Sequence, residues 1–325
     1  MVTHHPSGER SLSRERRFIS KRVFLALAKW AFAAILLVAA GRQIASALKQ
    51  LEGKEISFTP FPLCLSAALY GAAMACFGAY WRQTIHDMGG QLSATDAQRA
   101  YFASQLGKYI PGKAWVAVIR CGLVGTDRVP ATVIVASTVY ESLAMMAAGA
   151  LFALLALSAA GVGSRVLWLA GGLWLGLTLA VQPWLFSRMV VLATLPFRGN
   201  SGSAVKPVSY VTLLKGGFYF IPGWGLAGLS LVAVVHGSGI VVTGLSSVLL
   251  ACGSMALAMA AGFAILVVPA GLGVREWVLM QTLGPTLGPG NAVLIAIVAR
   301  IMNVTVELLM AGSLYFSSRR NVRNA

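Results

Sequence analysis

Acid is what this chain has least of: ten aspartates and glutamates stand against 26 lysines and arginines, and charged residues of both signs make up only 11% of its 325 positions. Soluble domains carry about a quarter of their residues charged. With 57% apolar residues and a mean hydropathy of +0.75, the composition excludes an ordinary soluble domain and reads as an all-α polytopic membrane protein. The four cysteines, Cys64, Cys76, Cys121 and Cys252, sit in apolar surroundings without C-x-x-C spacing and read as reduced packing residues. His4, His5, His86 and His236 are scattered and form no H-E-x-x-H pattern, so neither a metal nor a cofactor is expected. A phosphate-binding G-x-x-x-x-G-K-[ST] loop is also missing, which argues against ATP as the energy source. The net charge of +16 could suit nucleic acid, but its lysines and arginines gather at the termini and in loops between apolar runs. There they act as topology determinants and contacts to anionic lipid, and no nucleic-acid partner is expected.

Taken in order, residues 1–22 form a basic tail, with Arg10, Arg14, Arg16, Arg17, Lys21 and Arg22 against only Glu9 and Glu15, which should stay in the cytoplasm. A first span follows at 23–40, where Lys29 can snorkel to the headgroups; a cleaved signal peptide is disfavoured because no small-x-small site precedes a soluble domain. A second span, 62–81, ends at Trp81-Arg82, and Ser93 with Asp96 three residues on marks a helix start that carries Tyr101, Phe102 and Leu106 toward Pro111-Gly112. Spans are expected at 131–157 and 165–186, then a flexible connection joining two halves near 187–210, with Arg188, Arg198, Lys206 and the 199–203 Gly/Ser run. Further spans are expected at 211–235, interrupted by Ile221-Pro222-Gly223, at 240–268 and at 290–316, before a basic tail at 317–325. Ser254, Ala258 and Gly262 make a small-residue stripe that reads as close helix packing.

The sequence is organised around Pro269-Ala270-Gly271-Leu272-Gly273-Val274-Arg275-Glu276, a polar break in apolar chain. Pro269, Gly271 and Gly273 resist helix, and the freed backbone groups must be paired within protein or face a water-filled cavity. Ionisable Arg275 and Glu276 at membrane depth mark a functional site, and as neighbours about 100° apart on a helix they address different partners. A related break, Lys108-Tyr109-Ile110-Pro111-Gly112-Lys113, is followed by Arg120; the helix N-terminus beyond it, with Lys108 and Lys113, would suit a phosphate. Discontinuous helices of this kind form binding sites in transporters. Glu141 lies deep in its span, and Arg300, Asn303 and Glu307 share one helix face that must look inward. These acids and Arg300 can equally form a buried structural set.

Both basic tails prefer the cytoplasm, so crossings should be even, whereas seven spans are clear. The simplest resolution has 269–285 completing a crossing while 97–123 enters and leaves on the cytoplasmic side, giving seven or eight transmembrane helices with Pro/Gly-broken re-entrant segments.

These residues resemble the flippase-like membrane domain of bacterial lysylphosphatidylglycerol synthases and its stand-alone relatives. The run from Pro269 to Glu276 is similar to that family's second motif, commonly P-G-G-L-G-V-R-E; Arg300 matches the arginine of its final span, and Glu141 the glutamate of the span after its first motif. The first motif, commonly P-x-R-x-G-E-x-x-R, departs here: Pro111-Gly112-Lys113-Ala114-Trp115 lacks the Gly-Glu pair, Lys113 replaces the basic residue, and Arg120 follows. The resemblance implies one flippase-like domain over 23–316 in the bacterial plasma membrane, carrying an aminoacylated phospholipid or a polyprenyl-phosphate-linked sugar, with envelope glycosyltransferases as possible partners. Because the chain ends nine residues after the last span, it implies a stand-alone member that does not make lysylphosphatidylglycerol itself.

The expected function is therefore a non-enzymatic lipid transporter, coupled if at all through a proton on Glu141 or Glu307. The alternatives are an integral-membrane enzyme on lipid-linked precursors, for which no nucleophile–base pair is evident, and an envelope assembly factor. For Arg300, whose charge costs about 2.5–3.5 kcal/mol near a bilayer centre, Glu276 or Glu141 is the expected direct partner. Glu307, about 10.5 Å along the same helix, is reachable only through Asn303.

Overall fold

The computed structural model describes residues 57–110, 114–194, 205–265 and 268–323. The tail 1–22, the span 23–40 and Pro111, Gly112 and Lys113 lie outside the described residues. What is described is helical, with no strand, and six of its helices are long and apolar enough to cross a membrane.

Helix α1 (Pro60–Asp87) opens with a proline at its first position, where the missing N–H costs nothing, and crosses the bundle. Ser93 then caps α2 (Ala94–Gln105), its Oγ accepting from the Asp96 N–H at 3.1 Å, as the sequence predicts. A single 3-10 turn (Leu106–Tyr109) ends α2 at the break, and α3 (Trp115–Val124) returns, packed along α2. Arg128, just past α3, meets Asp96 at the start of α2 at 3.8 Å, so this pair enters and leaves at one end of the molecule. Helix α4 (Ala131–Ala159) crosses back.

The expected span 165–186 is two helices, α5 (Ser164–Val181) and α6 (Pro183–Thr194). Pro183 disfavours helical backbone at the residue before it, and Gln182 is accordingly extended at φ −53°, ψ 124°. The expected interruption at Pro222 is also corrected, because α7 (Tyr210–Gly237) runs through it as one helix. Pro222 is exposed on the outer surface while Gly223 is buried against Phe77, so the ring adds no clash with a neighbouring helix, and α7 absorbs the lost backbone bond and the crowding of its own preceding turn without ending. Helices α1 and α7 form the centre of the bundle; Phe77 meets Trp224 at 5.3 Å and Tyr80 meets Phe220 at 4.4 Å between ring centroids. Between apolar helices in lipid, such van der Waals contact supplies the attraction.

Helix α8 (Leu245–Ala264) is shorter than the expected 240–268 and is followed by a 3-10 turn (Pro269–Gly271), α9 (Val274–Leu287) and α10 (Pro289–Arg323). The expectation that 269–285 completes a crossing is overturned. Gly271 and Arg275 lie against Gly262, Leu279 beside Met255 and Met259, and Thr282 and Pro285 beside Leu250, so α9 runs back antiparallel along α8. Its end meets Gly161 and Arg165 at the α4–α5 corner, the end where Thr59 N–H donates to the Gly237 carbonyl and Ser246 reaches that of Ala160. Fourteen residues, about 21 Å, are too few to cross a bilayer and suffice for a return to its middle. The turn is tight because a Cβ on Gly271, at φ +65°, would stand 2.7 Å from the Gly262 Cα.

The molecule is thus two units of opposite direction: span, re-entrant pair, span over 60–159, and the same over 210–313, with α5 and α6 between. Their likeness extends to bonds. Helix α1 ends with Gly89 N–H on the His86 carbonyl, Gly90 N–H on that of Ile85, and His86 Nε2 at 3.0 Å from the Leu92 oxygen. Helix α7 ends, 150 positions later, with Gly239 on His236, Ile240 on Val235, and His236 Nε2 at 3.3 Å from the Val242 oxygen. Both are Schellman-type ends with a positive-φ glycine. Inverted repeats of this kind, with the tips of both re-entrant pairs meeting in the interior, are an architecture of secondary transporters.

Candidate functional site

Three ion pairs fasten the two broken segments to spanning helices. Arg120, on the returning arm α3, is 1% exposed and donates from Nη1 to Glu141 of α4 at 3.1 Å and to Thr138 Oγ1 at 3.3 Å, and from Nε to Ser104 at 3.1 Å. Its guanidinium stacks on Trp81 at 4.2 Å and Tyr101 at 4.7 Å, and the Tyr101 hydroxyl donates to the other Glu141 oxygen at 3.3 Å. The counterpart in the second unit has its charges exchanged: Glu276, on the returning arm α9, accepts from Arg300 of α10 at 2.8 Å. The second oxygen of Glu276 accepts from the Gly273 N–H at 2.7 Å, so one carboxylate both caps α9 and holds α10. The third pair joins the first tip to α10: Lys108 Nζ lies 2.5 Å from Glu307, which also accepts from Tyr70 at 2.7 Å and Tyr109 at 3.0 Å.

The stripe Arg300, Asn303, Glu307 looks inward as the sequence predicts, and Arg300 has the expected partner, Glu276. Asn303 links neither end of the stripe: Arg300 and Glu307 are satisfied from other segments, and Asn303 instead lines a small space between α8, α9 and α10. Two cations expected to be available for a phosphate, Lys108 and Arg120, are neutralised within the protein. The sequence reading also missed Tyr70, Tyr109 and Trp81, whose Nε1 holds Ser137 Oγ at 3.2 Å. A tyrosine hydroxyl eleven residues into an apolar span has to find a partner, and that was the available signal for Tyr70.

Arg275 is different. As the 100° offset predicts, it does not share the partner of Glu276; among the described residues its buried Nε has no hydrogen-bond partner and no carboxylate lies within ion-pair distance. It faces a cavity of about 450 Å³ bounded by the first re-entrant pair, α4 and the Ala270–Gly271 turn. Most of the lining is apolar, including Met74, Phe77, Met145 and Met259, with Lys108, Arg120 and Glu141 at its polar side. Val135 and Val139 of α4 line it and are 42% and 45% exposed, so its mouth opens sideways on the apolar outer surface. On the far side of Arg275 lies the small space beside Asn303, about 20 Å³, with Tyr109, Glu276 and Arg300.

A sequence model described as the lysylphosphatidylglycerol synthase TM region matches residues 23–311, nearly the whole chain and every residue of this site. The chain belongs to that family. Comparison with curated proteins finds no match. Within the family's membrane domain, the P-A-G-L-G-V-R-E run does three separable jobs: Gly271 permits the close turn on Gly262, Glu276 fastens α9 to α10, and Arg275 is left to face the cavity. Among the described residues no group of histidines, cysteines or acids has the arrangement to hold a metal.

Proposed function

We propose that this protein is a lipid transporter that binds a phosphate-bearing headgroup at Arg275 and carries it between leaflets, without chemical conversion, while the lipid tails stay in the bilayer. The observation that carries the reading is Arg275 itself: a guanidinium whose buried Nε has no hydrogen-bond partner and which makes no ion pair among the described residues, at the junction of two broken helices, in a cavity that opens sideways between α3 and α4. A guanidinium fork replaces headgroup hydration well, because it offers two parallel N–H donors to a phosphate. The inverted repeat supports movement as well as binding. Arg275 lies between a large cavity beside the first re-entrant pair and a much smaller space beside the second, which is an asymmetry expected of one state in an alternating cycle.

We place the protein in a bacterial plasma membrane with the Asp87 end of α1 in the cytoplasm. Lys206, bonded to the Met88 carbonyl, Lys215, paired with Asp87, and Arg128 gather at that end, against Arg165 at the other. Helix α10 then runs toward the cytoplasm. Envelope glycosyltransferases are the partner class if the cargo is a lipid-linked sugar.

The test is reconstitution in liposomes with fluorescent phosphatidylglycerol, its lysyl ester and a polyprenyl-phosphate sugar, following headgroup accessibility with time. Faster exchange of at least one lipid with wild-type protein, lost in Arg275→Gln, is expected. Equal rates with and without protein for all three would refute transport, and a new covalent lipid product would favour an enzyme.

A further inference from the structure

The charges around the cavity restrict what the headgroup carries. Glu141, Glu276 and Glu307 are the acids of this region among the described residues, and each is already matched to one cation: Arg120 at 3.1 Å, Arg300 at 2.8 Å and Lys108 at 2.5 Å. Each also accepts from a neutral donor: Glu141 from Tyr101, Glu276 from the Gly273 N–H, and Glu307 from Tyr70 and Tyr109. Arg275 is left over, so the described residues of the site carry one positive charge in excess. The undescribed residues at the two breaks, Pro-Gly-Lys at 111–113 and Leu-Val at 266–267, include no acid and one further cation, Lys113, so they do not reduce that excess.

From this balance, and resting on the transport reading above, we infer that the site takes a lipid headgroup bearing an anionic phosphate and no ammonium group. An ammonium would find no free carboxylate and would sit beside the Arg275 guanidinium, where like charges repel strongly away from water. A phosphodiester supplies one negative charge and cancels the excess. An aminoacylated headgroup brings at least one positive charge with its phosphate and leaves the excess in place. The chemistry required is shared by an undecorated phosphatidylglycerol and by a prenyl-phosphate-linked neutral sugar, and it excludes lysine-esterified lipid as the preferred cargo.

The experiment is equilibrium binding to the full purified chain in detergent, using short-chain phosphatidylglycerol, its lysyl ester and a short-chain prenyl phosphodiester of a neutral sugar as separate probes. At least one of the two ammonium-free lipids is expected to bind tenfold or more tighter than the lysyl ester, and which one does identifies the tail and headgroup source. Arg275→Gln is expected to bring that lipid to within about twofold of the ester, with Arg275→Lys keeping part of the preference. If Arg275→Gln fails to fold, the wild-type ratio decides alone. A lysyl ester that binds as tightly as both others, or tighter, overturns the inference, as does no binding of any probe. Selective binding without exchange in liposomes would leave this inference standing and remove transport. Exchange that favours the lysyl ester would do the reverse.

Discussion

Arg120 and Glu141 form the most buried ion pair described, each 1% exposed, and their removal should be measurable as stability rather than activity alone. Arg120→Met keeps much of the volume of the side chain but leaves Glu141 with two weak donors, the Tyr101 hydroxyl at 3.3 Å and the Ser142 hydroxyl at 3.5 Å. Breaking a buried pair from one side costs about 3–5 kcal/mol, because the surviving charge is uncompensated. Loss of the stack on Trp81 and Tyr101 adds about 1 kcal/mol. Roughly 4–6 kcal/mol is therefore expected, comparable with the whole stability of many domains. Glu141→Gln keeps the acceptor, removes the charge, and should cost about 3 kcal/mol. The double variant has neither charge and should recover about 2–3 kcal/mol relative to the sum of the singles. The assay is reversible unfolding in mixed micelles, read by tryptophan fluorescence, for all four members of the cycle. Additivity within about 0.5 kcal/mol would show that the two groups do not interact in the folded protein, and the argument that this pair fastens α3 to α4 would fall.

Arg300→Ala should lower stability by about 2 kcal/mol, less than at Arg120 because its side chain is 19% exposed, and Glu276→Gln in the same chain should restore part of it; unchanged stability with lost transport would make Arg300 a lipid ligand instead. Ala270, at φ +50° in the left-handed region, should gain about 1 kcal/mol on Ala270→Gly, seen as a higher unfolding midpoint; no gain would contradict the backbone at that turn. Gly271→Ala combines a φ of +65° with a Cβ 2.7 Å from Gly262, so transport should be abolished and the midpoint lowered, whereas a near-native variant would contradict the α8–α9 turn. Single cysteines at Ser164 and Thr286, in a chain otherwise free of cysteine, should react with an impermeant maleimide from the same face of the membrane, and one at Thr126, beside Arg128, from the other; Thr286 reacting with Thr126 would mean that α9 crosses after all.

Much of the scaffold needed only the order of residues. Apolar length by itself located α1, α4, α7 and α10 to within a few positions, because backbone groups in lipid have no partner outside their own helix. Ser93 with Asp96 marked the start of α2, and the spacing of Arg300, Asn303 and Glu307 placed them on one inward face, since both are local properties of a helix. The tertiary structure alone decided what was not local. Pro222 reads as an interruption in sequence, and only the structure shows α7 continuing through it, with the ring on the outer face and Gly223 packed on Phe77. Residues 269–285 read as a crossing from parity, whereas their direction is set by Gly271 closing on Gly262, nine residues earlier. Which cations are spent and which is free depends on acids and tyrosines far apart in the chain: Lys108 and Tyr70 reach Glu307 across 199 and 237 residues. A charge in sequence is only a charge. Whether it is a fastening or a site depends on whether another segment brings it a partner, and Arg275 is the one cation at this junction that, among the described residues, no segment supplies.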